Sequence, residues 1–277
     1  MKAPAFEYVR PQSLAEAVAL LAQSSDEARV IAGGQTLLAM MNLRIAAPAL
    51  LIDIARLPEL AATTEDDDNA ILGACVTHAM IEDGRVPDPS RGLMPHAAAG
   101  LAYRAIRNRG TIGGSLALAD PAAEWPAVLA ALDAKAGVRG PHGRRSLDCV
   151  ELPSGIFETH LTEDEIIENV HIPKLSADAR WGYIKLTRKS GEFANALAVA
   201  VADRRRGHVR VVLGAANGPP LILAEASRAL AETERDPEAL HGAVATDLGN
   251  AADRHFDHFQ HNLHMVAAVR AMQQVTV

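Results

Sequence analysis

The chain has 277 residues, of which 49% are hydrophobic and 22% charged, the composition of an ordinary soluble globular protein. Its net charge of −7 argues against binding to nucleic acid or to an anionic membrane surface. Two cysteines, Cys75 and Cys149, are too few for an iron–sulfur cluster, a cysteine-rich zinc site or a disulfide framework. There is no apolar run of about 18 residues, and Met1-Lys2-Ala3-Pro4 does not begin an apolar secretory segment. We therefore expect a cytoplasmic protein without a membrane span.

The first part of the chain predicts a helix among short strands. Ser13 and Glu16 have the spacing of an N-terminal capping box, and apolar residues recur on one helical face over residues 14–21. The next apolar stretches are the strand-like residues 29–32, residues 37–43 and the strand-like residues 50–54.

The middle of the chain predicts further strands and two helices. Asp120-Pro121 has the order of a helix cap and a first-turn proline, which predicts that a helix follows. The predicted elements are a turn at 66–69, a strand at 70–74, helices at 93–105 and 122–132, a hairpin over 137–147 and apolar segments at 166–167 and 170–172.

The last third begins with a polar linker at residues 174–180. Two strands joined by a basic turn are predicted, followed by three helices. Asp236-Pro237 and Gly249 bracket the second helix, with a proline at its start and a glycine at its end. The ranges are strands 194–202 and 209–215, the turn 204–207 and helices 223–231, 236–249 and 251–272.

Paired glycines follow an apolar residue at two places, Ala32-Gly33-Gly34-Gln35-Thr36 and Thr111-Ile112-Gly113-Gly114-Ser115. Residues without a β-carbon let backbone N–H groups converge on an anion, and a nearby hydroxyl can add a donor. Two such loops facing each other could hold the two halves of a pyrophosphate, as in a dinucleotide. Neither loop has the Rossmann or P-loop spacing of glycines. Taken alone, each loop is also explained as a tight turn that needs a positive φ.

Around these loops, the chain resembles a known family over almost its whole length. It is similar to the flavin-binding medium subunit of the molybdenum hydroxylases, the group that contains xanthine dehydrogenase and aerobic carbon monoxide dehydrogenase. The segments that carry the resemblance are residues 6–11, 32–38, 106–115, 120–124 and 185–193, with the strongest match in 106–115.

This resemblance implies an α+β fold. Residues 1–176 would form a two-lobed FAD-binding domain of the vanillyl-alcohol-oxidase (PCMH) type, with lobes over about 1–57 and 58–176. Residues 177–277 would form a carbon monoxide dehydrogenase flavoprotein-like domain, also α+β, with a small antiparallel sheet and helices. FAD would lie extended between the two lobes.

The resemblance also implies which residues bind FAD. The pyrophosphate would be held by Val30, Ile31, Ala32, Gly33, Gly34, Gln35, Thr36 and Leu37 and by Thr111, Gly113, Gly114 and Ser115. Leu101 would lie beside the cofactor in the preceding helix, Glu124 would face polar atoms of the nucleotide or ribityl chain, and Ile167 would contact it from a strand. Lys185 would approach the isoalloxazine ring. Phe193 stands where relatives have a tyrosine or an acidic residue, so we expect ring packing from it and no hydrogen bond.

The function that the resemblance implies is electron transfer. Substrate would be hydroxylated at a molybdopterin cofactor on a large partner subunit, and electrons would pass through [2Fe–2S] clusters on a small partner subunit to FAD on this chain and then to a terminal acceptor. A dimer of such heterotrimers is expected. We assign no catalytic or metal-binding residue to this chain, because cofactors carry the chemistry. Two alternatives stay open: a self-sufficient flavin-dependent oxidoreductase of the same fold, and a flavin-free assembly module whose glycine loops are merely turns.

The last predicted helix carries a histidine at every third position. A step of three turns a helical position by about 300°, so these side chains spiral off one face, and an exposed or interface helix is preferred to a metal site. The four are His255, His258, His261 and His264. His78 and His96 could be points of covalent flavin attachment. Such attachment occurs in distant members of the wider fold but is not normal in the family that this chain resembles.

Other motifs favour structural roles or leave alternatives open. Arg107 and Arg109 could pair with phosphate, with acidic side chains or with a partner subunit. We interpret the three arginines at 204–206 as a solvated hairpin turn and the three aspartates at 66–68 as a turn, not a calcium loop. Cys75 lies in an apolar run and is expected to be an inert buried thiol.

Overall fold

The computed structural model describes residues 2–24, 27–232 and 236–276, and Met1 lies outside the described residues. Its main sheets are each built from one continuous stretch of chain. The first sheet contains β1 (Glu7–Val9), β2 (Ala28–Ile31) and β3 (Leu50–Asp53). The second contains β4 (Thr63–Glu65), β5 (Asn69–Gly73), β6 (Lys135–Gly140), β7 (Gly143–Asp148) and β10 (Ile166–Pro173), while β8 (Pro153–Gly155) pairs with β9 (Glu158–Thr159). The third contains β11 (Arg180–Leu186), β12 (Ala196–Asp203), β13 (His208–Gly214) and β14 (Leu221–Ile222).

The helices surround these sheets. They are α1 (Leu14–Ser24), α2 (Leu37–Asn42), α3 (Pro58–Ala61), α4 (His78–Glu82), α5 (Leu93–Ala99), α6 (Arg104–Arg107), α7 (Ile112–Leu118), α8 (Glu124–Ala131), α9 (Ala224–Glu232), α10 (Pro237–Asn250) and α11 (His258–Thr276). Within the described ranges, none of them combines the length and the apolar character that crossing a membrane requires.

The first sheet is parallel, in the order β1-β3-β2, and α1 packs against it. Half of the capping box forms at the predicted place, because the Ser13 Oγ accepts from the Glu16 N–H at 3.1 Å. The Glu16 carboxylate in turn accepts from the Gln12 N–H at 2.6 Å. Since β2 ends at Ile31, the first glycine loop lies at the end of an edge strand, directly before α2.

The second sheet is antiparallel, in the order β4-β5-β10-β6-β7, and helix α8 lies at the centre of the protein. Every residue of α8 is buried, including Glu124 and Trp125. The helix belongs to the main apolar core, which also includes residues of the second sheet and of β12 and β13. A charged residue at such a position needs a partner, so Glu124 is expected to pair with a positively charged side chain.

Strand β12 is buried on both faces, and its sequence alternates alanine with larger residues. Leu197, Val199 and Val201 join the core that contains α8, whereas the alanines lie in the core that contains α11. Gly182 likewise allows α11 to pack closely against β11, since a β-carbon at this position would lie 1.9 Å from the Ala271 carbonyl oxygen. The third sheet is therefore packed between the rest of the molecule and the C-terminal helices.

The predicted strands and the hairpin are confirmed to within a few residues, but the helix predicted over residues 93–105 is wrong. The chain forms α5 and α6 instead, with a connection at residues 100–103. Ala102 has a φ of +37°, which interrupts a right-handed helix. Leu101, which was expected within a helix, lies in this connection.

Three other expectations are corrected. Asp120 caps a turn, its Oδ1 accepting from the Ala122 N–H at 2.9 Å, so α8 starts only at Glu124. The last helix begins at His258 rather than at 251, after a 3₁₀ turn (Ala252–Arg254) and a left-handed residue at position 255. Gly249 lies inside α10.

The polar segment at 174–180 leads directly into β11, which the sequence did not predict. The basic turn after β12 is more than a solvated loop, because the Arg206 guanidinium donates to the carbonyl oxygen of Lys174. The turn thus contacts the segment that precedes the third sheet.

Candidate functional site

The first glycine loop contacts Arg109 and Gly110, the residues that lead into the second loop, although the two are far apart in sequence. A β-carbon placed on Gly33 would lie 2.2 Å from the carbonyl oxygen of Arg109 and 2.9 Å from the Cα of Gly110. Only glycine permits so close an approach to the backbone. The Arg109 Nε–H donates to the Gly33 carbonyl oxygen across the same contact, at 3.2 Å. The first loop therefore lies against the start of the segment that contains the second.

The first loop presents backbone N–H groups that are not used within the protein. The N–H groups of residues 33–36 make no hydrogen bond to any residue that the structure describes. Gly34 has a φ of +72°, a conformation that favours glycine. The carbonyl groups, in contrast, anchor α2, since Gly34 and Thr36 accept from the N–H groups of Leu38 and Met40. Residues 33 and 34 are half-buried, and 35 and 36 are exposed, so a ligand can reach these donors.

The second loop uses most of its N–H groups internally. Those of Ile112 and Gly113 donate to the carbonyl oxygens of residues 76 and 74. That of Gly114 donates to the Thr111 Oγ1 at 3.1 Å. A β-carbon on Gly113 would lie 2.5 Å from the Cβ of Ala74, so this glycine is required for packing. The groups of this loop that remain for a ligand are mainly hydroxyls, notably that of the half-buried Ser115.

The buried His78 contacts Gly110, the residue directly before the second loop. The His78 N–H donates to the Gly110 carbonyl oxygen at 2.9 Å, and the ring lies against the Cα of the same glycine. The Trp125 Nε1–H donates to the His78 Nδ1 at 3.0 Å. Burial lowers the pKa of His78 to about 4, with the charge of Arg107 acting in the same direction, so the ring is neutral at pH 7. His78 is thus a structural residue, and His96 packs on the rings of Trp181 and Tyr183.

The arginines near the second loop have different partners. Arg107 forms a two-pronged ion pair with Glu82, with both nitrogen–oxygen distances at 2.8 Å, and also donates to the Leu101 carbonyl oxygen. This pairing lowers the pKa of the Glu82 carboxyl. Of the alternatives open at the sequence level, Arg107 therefore takes the acidic partner, whereas Arg109 contacts the first loop.

Glu124 and Lys185 form a buried ion pair, with the Lys185 Nζ 2.5 Å from the Glu124 Oε1. The Lys185 ammonium also donates to the Gly100 carbonyl oxygen at 3.1 Å. Burial raises the pKa of Glu124, and Lys185 opposes that shift. The pair joins α8 to β11 and to the connection that contains Leu101, so three residues predicted to contact FAD lie in one region.

Ile167 and Phe193 occupy different surroundings. Ile167 is buried in the main core, on β10. Phe193 is 63% exposed in the loop before β12, and Gly191 of that loop lies close to the ring of Tyr103. Two residues of this region, Trp125 and Tyr183, were not predicted from the sequence. Tyr183 is buried, and burial together with the charge of Glu124 raises the pKa of its hydroxyl. No local sequence pattern indicates a role for either residue, because Trp125 contacts His78 and Tyr183 lies near Glu124, and both partners are distant in the sequence.

The remaining candidates have structural positions. Cys75 is a free, buried cysteine, as predicted, and burial raises the pKa of its thiol to about 12. His258 is exposed and His264 fully buried, so the C-terminal histidines do not share one environment. Across the described ranges, no three metal-ligating side chains form a group that could hold an ion. Asp66 accepts from the N–H groups of Asp68 and Asn69, confirming the turn.

Comparison with known proteins gives concordant results. The family model described as the FAD binding domain in molybdopterin dehydrogenase matches residues 4–175. The nicotine 6-hydroxylase medium subunit of Paenarthrobacter nicotinovorans is 40% identical over 263 residues, which cover 92% of this chain and 91% of that protein. The carbon monoxide dehydrogenase medium chain of Hydrogenophaga pseudoflava is 38% identical over 76% of this chain and 74% of its own length. A solved structure of carbon monoxide dehydrogenase from the same organism has a TM-score of 0.93 at 33% identity, covering 99% of this chain and 98% of that one.

The chain belongs to the FAD-binding medium subunits of the molybdenum hydroxylase family. It is a flavoprotein subunit of an oxidoreductase, and the predicted α+β fold with a PCMH-type FAD-binding domain is confirmed. The expected cofactor, FAD, is confirmed by the same match, and the relatives favour a medium subunit over a self-sufficient flavoenzyme.

Proposed function

We propose that this chain holds FAD across the contact between its two glycine loops and carries electrons within a molybdenum-dependent hydroxylase or dehydrogenase. The observation that carries this proposal is the run of unused N–H groups at residues 33–36, lying beside the backbone of Arg109 and Gly110. Successive N–H groups of this kind fit the negatively charged diphosphate of FAD. The donor set therefore suits the cofactor that the family binds.

The binding residues keep the two groups that the resemblance implies. The diphosphate cradle would consist of residues 30–37 and of Thr111, Gly113, Gly114 and Ser115. In this cradle the first loop supplies N–H donors, and the second supplies hydroxyl groups and a rigid wall. The rest of the cofactor would lie along Leu101, Glu124, Ile167, Lys185 and Phe193. There the ion pair of Lys185 with Glu124 would lie beside the cofactor, and Phe193 would provide ring packing.

The proposed domain division follows the sheets. Residues 1–176 would form the FAD-binding domain, with lobes over about 1–57 and 58–176, and residues 177–277 the C-terminal domain. The first, second and third sheets fall within these ranges in that order. The match of the family model to residues 4–175 supports the same boundary.

The proposed partners are a large molybdopterin-binding subunit and a small [2Fe–2S] subunit, assembled as a dimer of heterotrimers in the cytoplasm. The names of the relatives, medium subunit and medium chain, support such an assembly. When bound, FAD exchanges electrons singly or in pairs, which suits a junction between one-electron clusters and a terminal acceptor. This chain cannot supply the clusters itself, because its only cysteines, Cys75 and Cys149, are both buried.

Purification of the tagged chain together with its co-expressed partners tests the proposal. We expect a complex with flavin and iron–sulfur absorbance and equal amounts of FAD and molybdenum. The isolated chain should bind FAD and show no substrate turnover. Turnover by the isolated chain would support the self-sufficient flavoenzyme instead. A preparation that stays colourless after incubation with FAD would support the flavin-free module.

A further inference from the structure

Three arginines lie within or just after α6, and the structure gives them different surroundings. Arg104 donates to both carboxylate oxygens of Asp83, at 2.6 and 2.7 Å, and to Glu82 at 2.8 Å. Arg107 makes the two-pronged pair with the same Glu82. These two acidic residues on and after α4 thus neutralise the first two arginines, and the local structure explains both of them.

Arg109 has no carboxylate partner among the residues that the structure describes. Among those residues, its side chain makes one hydrogen bond, from Nε–H to the Gly33 carbonyl oxygen at 3.2 Å. The terminal nitrogens of the guanidinium are not used in that bond, and the residue is exposed. The backbone at this position is fixed, because its carbonyl oxygen fills the space that a β-carbon would need at Gly33.

We propose that Arg109 binds the diphosphate of FAD through its guanidinium group. This inference rests on the proposed function, and it adds a side-chain cation to a cradle otherwise made of backbone N–H and hydroxyl groups. The Nε bond to Gly33 holds the guanidinium at the first loop, beside the unused N–H groups of residues 33–36. A guanidinium is planar and presents paired N–H donors that match phosphate oxygens. Its terminal nitrogens are the donors that remain.

The charge distribution favours the same assignment. Arg104 and Arg107 pair with the carboxylates on and directly after α4. Glu82 and Asp83 are already engaged by those two, and no acidic side chain contacts Arg109 in the described structure. An anionic ligand could therefore pair with this guanidinium without displacing a carboxylate. The diphosphate is the anionic part of FAD, so the flavin ring and ribityl chain gain nothing directly from Arg109.

The test measures binding of FAD, ADP and riboflavin to the flavin-free full chain by calorimetry. The variants are Arg109→Gln and Arg109→Lys, with Arg205→Gln as a control that removes an exposed arginine from the turn after β12. A charged hydrogen bond is worth about 1.5–3 kcal/mol, so Arg109→Gln should weaken FAD and ADP binding about 10- to 100-fold, with 1.4 kcal/mol for each factor of ten. Arg109→Lys should lie in between, and riboflavin binding should not change.

Salt dependence and stability provide the second readout. Wild-type binding of FAD should weaken as salt is added, and Arg109→Gln should reduce that dependence while leaving the melting temperature of the flavin-free chain unchanged. Equal affinities of wild type and Arg109→Gln for FAD would overturn the proposal, as would a parallel loss of riboflavin binding or a loss in Arg205→Gln. If the wild-type chain itself bound no FAD, the proposed function would fail instead, and the two failures are thus distinguishable.

Discussion

The first glycine loop leaves its N–H groups available to a ligand, whereas the second uses most of its own for hydrogen bonds within the protein. Gly33 is required where two loops meet, and Gly113 where a loop meets the β5 end of the second sheet. The Gly-Gly pair therefore has a different physical role in each of the two loops. In the sequence, a glycine pair indicates that other atoms pack closely against the backbone. Only the structure shows whether those atoms belong to a ligand, another loop or the core.

The largest expected effect is loss of stability in Gly113→Ala. The new β-carbon would lie 2.5 Å from the Ala74 Cβ and 2.8 Å from its carbonyl oxygen, in buried surroundings. Overpacking of this kind costs about 1–3 kcal/mol, measurable by urea unfolding of the flavin-free chain. Gly249→Ala is the control, since its β-carbon would point into open space. Unchanged stability in Gly113→Ala would contradict the packing role of the second loop.

A pH-dependent loss of stability of comparable size is expected from His78. The pKa of His78 is lowered to about 4 in the folded chain, against about 6.5 when unfolded. The unfolded state therefore binds a proton that the folded state excludes. The stability due to neutral His78 is complete above pH ~6.5 and is lost as the pH falls toward ~4, by at most about 1.4 kcal/mol per pH unit.

The variant His78→Asn isolates this contribution. Its amide oxygen can accept from the Trp125 Nε1–H but does not titrate. We expect urea midpoints measured between pH 4 and pH 6.5 to change less with pH in the variant than in the wild type. His264, whose pKa burial also lowers to about 4, contributes equally to both proteins. Identical pH profiles would show that His78 does not support the second loop as a neutral side chain.

The third effect is on binding rather than stability. In Gly33→Ala the new β-carbon would overlap the Arg109 carbonyl oxygen, so the two loops must separate. We expect FAD to bind about tenfold more weakly or worse, a difference of at least about 1.4 kcal/mol. Fluorescence titration with FAD measures it. Full FAD affinity in Gly33→Ala would show that the contact between the loops is irrelevant to the cofactor.

The smallest effect compares the threonines of the two loops. Thr111 caps α7 by accepting from the Gly114 N–H, and Thr36 makes no such bond before α2. Thr111→Ala should therefore cost about 1 kcal/mol of unfolding free energy. Thr36→Ala should change it by less than about 0.5 kcal/mol. Equal losses in thermal unfolding experiments would remove this difference between the loops.

Local patterns predicted much of the fold. The helix start at Ser13 and the strand β12 follow from short-range sequence signals, whereas the contact of Gly33 with Arg109 and Gly110 is long-range. The alternation of alanine with leucine and valine in β12 was visible as well, but its meaning depends on which elements cover each face of the strand. The end of α5 had a local signal in Gly100, which directly follows its last residue, but the apolar residues on both sides of that glycine favoured one continuous helix.

The site was predictable in outline only. The ion pair of Glu124 with Lys185 and the hydrogen bond of Trp125 to His78 join residues far apart in sequence. No spacing rule brings such residues together, and the resemblance assigned Glu124 and Lys185 to the cofactor without relating them to each other. The different partners of Arg107 and Arg109 also depend on where Glu82 lies in the folded chain.

A crystal structure of the chain with FAD bound tests the central claim most directly. The quantity to measure is the distance from the backbone nitrogens of residues 33–36 to the oxygens of the diphosphate. The account predicts at least two of these distances in the hydrogen-bond range of about 2.7–3.2 Å, with the loops still in contact at Gly33 and Arg109. A diphosphate bound elsewhere, with these nitrogens out of hydrogen-bond reach of it, would contradict the account.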